Sequence, residues 1–291
     1  MKKWQEQYLH SLNGKTVAIT GATGGLGQEI CRETARLGGS LILLDRNPEK
    51  DKILIQNLRA INPKGSFRSI RTDLSDMNSV RETCEQLKTI PFDILIHNAG
   101  VYKVPRKICS TGFNSVFQIN FVSPYYMTRK LADTITARHG KVIAVGSIAH
   151  NYSRTDPADT DFSSRKACSL VYGNSKRYLM YALWGLKEKY PELDLVIAHP
   201  GVTVTNMTAH FPKTVYAVIR WPMKLVLMKP KKAIRGILRG MFEQIPANFW
   251  IGPYVFNTWG SPKISEVRTA SPEEKSRIVR TAEEVFETLD H

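Results

Sequence analysis

Short apolar runs alternate with longer amphipathic stretches over the first two thirds of the chain. Residues 16–20 (TVAIT), 41–44 (LILL), 67–71 (FRSIR), 92–97 (FDILIH), 141–145 (KVIAV) and 193–198 (LDLVIA) read as strands. They are rich in β-branched and other apolar side chains, which fit a pleated surface. Between them, residues 25–37, 48–60, 75–87, 112–137 and 169–189 carry helical periodicity. Gly38-Gly39 stops the first helix, Asn62-Pro63 breaks the second, and Ser75 is the expected cap of the third. Residues 150–168 are polar and turn-rich and read as an inserted loop.

Strands with continuous apolar runs, each followed by a helix, predict a parallel sheet covered on both faces. Right-handed crossovers then give an α/β, doubly wound, Rossmann-type fold. The expected organisation is a leader over 1–13, a core over 14–206 and a less regular C-terminal region of the same domain over 207–291.

Composition narrows the classes. A chain of 291 residues can bury a core without staples. Forty-one Lys and Arg against 26 Asp and Glu give +15, a balance that suits nucleic acid, an anionic membrane or an anionic ligand. The basic residues are scattered, and no zinc-finger or RNA-binding signature accompanies them, so nucleic acid is not the expected partner. Cys31, Cys84, Cys109 and Cys168 lie far apart without a C-x-x-C pair, which predicts neither a metal site nor disulfides. The leader has no apolar stretch behind its two lysines, and no run approaches the ~18 to 20 uncharged apolar residues of a membrane span. The expected compartment is the cytoplasm.

The first strand runs into Thr20-Gly21-Ala22-Thr23-Gly24-Gly25-Leu26-Gly27, and a helix follows at once. Glycines let the backbone turn sharply and let a pyrophosphate approach, while the helix N-terminus offers free N–H groups. A glycine-rich string alone is an ordinary turn; between a first strand and a first helix it predicts a dinucleotide site. The second strand ends at Asp45, 18 residues beyond Gly27. An acid there accepts from adenosine ribose hydroxyls and repels a 2′-phosphate, whereas the adjacent Arg46 would attract one. No basic residue lies within the glycine turn, so the balance favours NAD over NADP. Asp73-Leu74 after the third strand is placed for the adenine edge, and Asn98-Ala99-Gly100 after the fourth lets ribose pack on backbone.

Tyr172-Gly173-Asn174-Ser175-Lys176 puts a phenol and an ammonium four residues apart on one helix face. A tyrosine near pKa ~10 is a poor base at neutral pH, and a neighbouring ammonium stabilises its phenolate. The lysine can also grip nicotinamide ribose hydroxyls. Ser147 follows the fifth strand, at the carboxyl end where such sheets bind ligands, and its hydroxyl can meet a substrate carbonyl. Asn120 sits mid-helix, an unfavourable place for Asn, where it can pin a water near Lys176. Pro200, Gly201, Val202 and Thr205, after the sixth strand, can hold the nicotinamide amide. The bland readings are a surface Tyr/Lys pair, a turn serine, a solvated Asn and a plain turn.

In this order the pieces resemble the short-chain dehydrogenase/reductase family over roughly residues 14–206. The resemblance rests on TGATGGLG, Asp73-Leu74, the NAG at 98–100, Asn120, Ser147, Tyr172/Lys176 and PGVTVT from Pro200. It implies reversible hydride transfer between NAD(P) and an alcohol or carbonyl, with Asn120, Ser147, Tyr172 and Lys176 as catalytic tetrad. Ser147 and Tyr172 are 25 residues apart, wider than the family's usual gap, and the 150–168 loop supplies the difference. With W-I-G-P-Y from Trp250 and G-S-P from Gly260, this looks like the retinol-dehydrogenase-like branch. That branch usually carries a small residue and then Arg after the second strand, marking NADP; here Asp45 takes the small residue's place.

By family position, residues 207–241 would cover the substrate cleft. Their large apolar groups suggest a lipophilic alcohol, ketone or aldehyde, and their Lys and Arg stems suit weak peripheral membrane contact or a homo-oligomer surface. Pro222 interrupts any long helix there. A dinucleotide-sensing protein without chemistry could lose Tyr172 or Lys176 freely, and this chain keeps both. A serine hydrolase on Ser147 and His150 lacks the G-x-S-x-G elbow.

Overall fold

The six apolar runs become six parallel strands: β1 (Thr16–Thr20), β2 (Ser40–Asp45), β3 (Phe67–Arg71), β4 (Ile94–His97), β5 (Lys141–Val145) and β6 (Asp194–Ala198). The computed structural model describes residues 2–202 and 228–290. Helices α1 (Lys2–Tyr8), α2 (Gly25–Arg36), α3 (Pro48–Ile61), α4 (Met77–Thr89), α5 (Ser115–Phe117), α6 (Ser123–Thr136) and α7 (Cys168–Lys189) fill the intervals. The strands run β3-β2-β1-β4-β5-β6 across the sheet, so the order reverses between β1 and β4. A doubly wound sheet binds its ligand in the crevice at that reversal.

Alternate residues of each strand point to opposite faces. Ala18, Ile42, Leu95, Val142 and Leu195 join one core, under α4, α6 and α7, while Val17, Leu41, Ile94, Ile143 and Val196 join another, under α2 and α3. Continuous apolar runs are what a strand buried on both sides requires.

Several expectations change. Ser75 does not cap α4: its N–H and hydroxyl both go to the Asp73 carboxylate, and Asp76 accepts from the Asn78 N–H as the cap. The helix expected over 112–137 starts at Ser115 and contains a π-helical turn at Gln118–Val122, which holds Asn120. The loop expected at 150–168 opens with a 3₁₀ turn, Ile148–Tyr152.

The C-terminal region is far more regular than expected. Two short helices, α8 (Pro230–Ala233) and α9 (Arg235–Gly240), lead to β7 (Phe249–Val255), β8 (Trp259–Glu266) and α10 (Pro272–Asp290). β7 adds parallel to β6 and β8 pairs antiparallel with β7, so the described residues form an eight-stranded sheet. Ile234, Ile237 and Leu238 pack under the sheet beside Ile143, Val196 and Ile251, and Arg235 and Arg239 lie over the rings of Trp4 and Tyr8. The large apolar residues of 228–241 are thus packed into the core while Lys229, Lys231 and Lys232 stay exposed, and the rest of the expected cover, 207–227, lies outside the described residues. Among the described residues no helix is long and apolar enough to cross a membrane.

Candidate active site

The glycine turn is built for close approach. Gly21 has φ +67°, and a Cβ there would lie 2.9 Å from the Ala99 Cα. A Cβ on Gly27 would lie 2.1 Å from the Gly21 carbonyl oxygen. Neither position accepts a side chain. Asn98 braces the same turn, its Nδ2 donating to the carbonyls of Thr20 (3.1 Å) and Gly21 (2.9 Å). Ahead of the turn lies a groove of about 320 Å³, bordered by Gly21, Thr23, Gly24, Gly25, Leu26 and Gly27, by Asp45 and Arg46, by Asp73 and Leu74, and by Asn98, Ala99 and Gly100. Glycines that leave no room for a Cβ, facing a helix N-terminus, fit a dinucleotide's pyrophosphate.

Asp45 sits at the far end of the groove. Its carboxylate accepts from the Thr23 N–H at 2.9 Å, which ties β2 to the glycine turn. Burial pushes the Asp45 carboxyl above its ordinary range, against the hydrogen bonds from Thr23 and the charge of Arg46. Lys50 also lines this end, a second cation that sequence reading missed. The Asn47 cap, accepting from the N–H groups of Glu49 and Lys50, starts α3 there and so fixes where Lys50 begins. Behind them Asp51 is 1% exposed, and neither carboxylate oxygen has a hydrogen-bond partner. Burial, and then the charge of Asp45, push its carboxyl up to about 7.

The groove continues past Leu26, Asn98, Gly100 and Val101 into a second cavity of about 230 Å³. Ser147, Tyr172 and Lys176 line it together, with Pro200, Gly201 and Val202. Its other walls are mostly apolar or aromatic: Tyr102, Val145, Ile148, Ala149 and Tyr152. Thr205 lies outside the described residues.

Burial raises the Tyr172 phenol above its ordinary value, and the nearby Ser147 hydroxyl pulls the other way. The Tyr102 ring meets the Tyr172 ring edge-on at 5.2 Å between centroids. Lys176 Nζ lies 5.9 Å from the Tyr172 ring centroid and donates to the Val145 carbonyl at 2.8 Å. Burial lowers the Lys176 ammonium to about 8, which leaves it mostly charged at neutral pH.

Asn120 is fully buried, so it is no solvated helix residue. Its Oδ1 accepts from the Val101 N–H at 2.8 Å, and its Nδ2 donates to the Val101 carbonyl at 2.9 Å and the Ser175 hydroxyl at 3.0 Å. Its amide therefore joins the strand-end loop to α7 directly. A Cβ on Gly100 would lie 3.4 Å from Asn120 Oδ1 and 3.6 Å from Lys176 Nζ, so this glycine lies beside both groups.

The hydrolase reading fails on geometry. His150 Nδ1 pairs with the backbone carbonyl of Ser147 at 2.7 Å, its Nε2 is buried without a partner, and burial lowers its pKa to about 4. Such a ring takes no proton from the Ser147 hydroxyl. Among the described residues no group of three His, Cys, Asp or Glu is placed to hold a metal.

Known proteins supply the remaining comparison. The family model for short chain dehydrogenases matches residues 15–215. A short-chain dehydrogenase named TIC 32 A, chloroplastic, from Brassica napus is 30% identical over 222 residues, covering 70% of this chain and 69% of that protein. Human retinol dehydrogenase 13 is 28% identical over 236 residues, 77% of this chain and 70% of its own. A crystal structure of an uncharacterised protein from Mycobacterium paratuberculosis superposes with a TM-score of 0.75 at 26% identity, over 97% of this chain and 95% of the other.

Proposed function

The chain belongs to the short-chain dehydrogenase family and is an NAD(P)-dependent oxidoreductase of alcohol and carbonyl groups, and from that premise we propose that it acts on a lipophilic substrate through Ser147, Tyr172 and Lys176. The observation that carries this reading is the shared cavity. A phenol, a serine hydroxyl and a buried ammonium line one mostly apolar chamber continuous with a glycine-walled groove.

The residues of the glycine turn would hold the pyrophosphate, Asp45 the adenosine ribose, and Lys176 the nicotinamide ribose. When bound, NAD(P) supplies or takes up the hydride. In carbonyl reduction the Ser147 and Tyr172 hydroxyls hydrogen-bond the substrate oxygen, and Tyr172 gives that oxygen its proton. The ammonium of Lys176 stabilises the phenolate left behind. Asn120 holds the Gly100-Val101 loop against α7, which keeps Lys176 and Tyr172 in register. Oxidation uses the same groups in reverse.

The adenosine end favours NAD. Asp45 lines the groove, its carboxylate tied to the Thr23 N–H, and from there would meet the ribose hydroxyls. Arg46 and Lys50 line the same end and give NADP a weaker foothold.

Fluorescence titration with NADH and NADPH separately, then turnover of a carbonyl panel headed by all-trans-retinal and decanal, tests the reading. Tyr172→Phe is expected to bind NADH within about twofold of wild type and to lose turnover by at least ~10²-fold. Turnover retained in that variant rejects the assignment.

A further inference from the structure

We propose that the buried Arg177–Glu274 ion pair is a positioning device that seats the Ser147 turn against the Tyr172 helix, and so makes α10 part of the catalytic apparatus. The inference rests on the Ser147-Tyr172-Lys176 reading and extends it to two residues that touch neither cavity.

The contacts form one connected path. Arg177 follows Lys176 on α7 and is completely buried, and the Glu274 side chain is 8% exposed. Glu274 Oε1 accepts from Arg177 Nε at 2.8 Å, and Oε2 accepts from Arg177 Nη2 at 2.6 Å. Of the remaining bonds, one goes from Arg177 Nη2 to the Thr269 carbonyl at 2.6 Å, and the others go to the segment that follows Ser147. Arg177 Nη1 donates to the His150 carbonyl at 3.1 Å, and Glu274 Oε1 accepts from the Thr155 N–H at 3.0 Å and its hydroxyl at 3.2 Å. His150 in turn pairs through Nδ1 with the Ser147 carbonyl at 2.7 Å, and the Ser147 hydroxyl accepts from the Ala149 N–H at 3.2 Å.

Two further contacts press the same turn onto α7. The Ser153 hydroxyl donates to the Leu170 carbonyl at 2.6 Å. A Cβ on Gly173 would lie 2.4 Å from the Ala149 carbonyl oxygen, so the turn and the helix touch backbone to backbone beside Tyr172. Ser147 and Tyr172 are separated by a long insertion, and these contacts set their spacing in its place.

Burial works to raise the Glu274 carboxyl, but Arg177 and Thr155 outweigh it and hold it near 2, so the pair stays ionised. A buried pair of this kind is seldom the best choice for stability. Well-packed apolar side chains of similar volume often serve as well or better, whereas removing one partner alone strands a charge. Stability alone is therefore weak ground for the pair, whereas its directional bonds to His150 and Thr155 suit a positioning role.

The test uses the full chain in two forms, the double variant Arg177→Met/Glu274→Leu and the single variant Arg177→Lys. The double variant keeps volume and leaves no stranded charge; the single one keeps the charge and shortens the reach to His150. Hydrogen exchange is followed in peptides spanning residues 147–155, and kcat is measured with the faster of all-trans-retinal and decanal. Exchange in that segment is expected to rise at least ~10-fold and kcat to fall about 10- to 100-fold, with NADH affinity within about twofold of wild type and a cooperative melt.

Wild-type exchange in a cooperatively melting variant, or a wild-type kcat in either one, overturns the proposal. Should the double variant fail to fold, Arg177→Lys decides; should neither probe be turned over by wild type, exchange decides. Tyr172→Phe runs alongside. Turnover surviving in Tyr172→Phe retires the underlying site reading, whereas an inactive Tyr172→Phe beside fully active ion-pair variants retires only the positioning role.

Discussion

The Lys176 ammonium donates to the Val145 carbonyl at 2.8 Å, a bond that ties α7 to the end of β5 just before Ser147. The two elements that carry the hydroxyls of the cavity are thus joined through a buried charge. Lys176 is 3% exposed, and holding an ammonium there has a cost.

That cost is measurable. Burial lowers Lys176 from 10.5 to about 8, so between those values the unfolded chain binds a proton that the folded chain does not. Stability should therefore rise with pH through this window, and the penalty is full below about 8. Lys176→Met is expected to be more stable than wild type at pH 7, on the order of 2 kcal/mol, after allowing for the orphaned Val145 carbonyl. The advantage should fade towards pH 10.5, and turnover should be lost at every pH. Urea unfolding of both proteins at pH 7 and 10 measures the difference; a variant less stable at pH 7 refutes it.

Asp51 has the opposite sign. Its carboxyl titrates near 7 when folded and at 3.8 otherwise, so the folded chain holds the extra proton between those values. Its contribution to stability falls as pH rises from about 4 to 7, and the penalty is complete above 7. Asp51→Asn should match wild type near pH 4 and exceed it at pH 8, on the order of 2 kcal/mol. Thermal melts of the two proteins across this range check it, and a constant difference would show that ionisation of Asp51 is not the cause.

Cofactor preference should turn on one charge. Asp45→Asn keeps an acceptor for the Thr23 N–H while removing the negative charge beside Arg46 and Lys50. NADPH is expected to bind about tenfold tighter to this variant than to wild type, with NADH weakened. Paired fluorescence titrations read the ratio, and an unchanged ratio would place the discrimination elsewhere.

Gly173→Ala sets helix propensity against packing. Alanine is favoured in a helix interior by about 1 kcal/mol. Here its Cβ would meet the Ala149 carbonyl oxygen at 2.4 Å, and backbone must give way. The shift falls on the turn that carries Ser147, so kcat should drop at least ~10-fold while NADH affinity holds. Full kcat in a stabilised variant would mean that the turn yields without moving the serine.

The parallel half of the fold was legible because its strands are buried on both faces, and continuous apolar runs such as KVIAV have few other uses. The glycine turn was legible because Gly21 and Gly27 leave no room for a Cβ. β7 and β8 were not. FWIGPYV carries a Gly-Pro at its centre, and WGSPKISE is an edge strand with small and polar residues, so both imitate loops. The start of α10 did carry a signal, Ser271 three residues before Glu274, and the Glu274 N–H does donate to the Ser271 hydroxyl at 3.2 Å. The Glu274 carboxylate, however, turns to Arg177, 97 residues away in sequence, which no local pattern can announce. Asn120 was found by its awkward mid-helix position, but its partners depend on a π-helical turn that the spacing of apolar residues does not reveal.

Because α10 is made after every other described part of the site, synthesis on the ribosome runs in a fixed order. The glycine groove draws its lining from residues 21–119, all made well before Glu274. The serine turn finds its anchor only when Glu274 arrives.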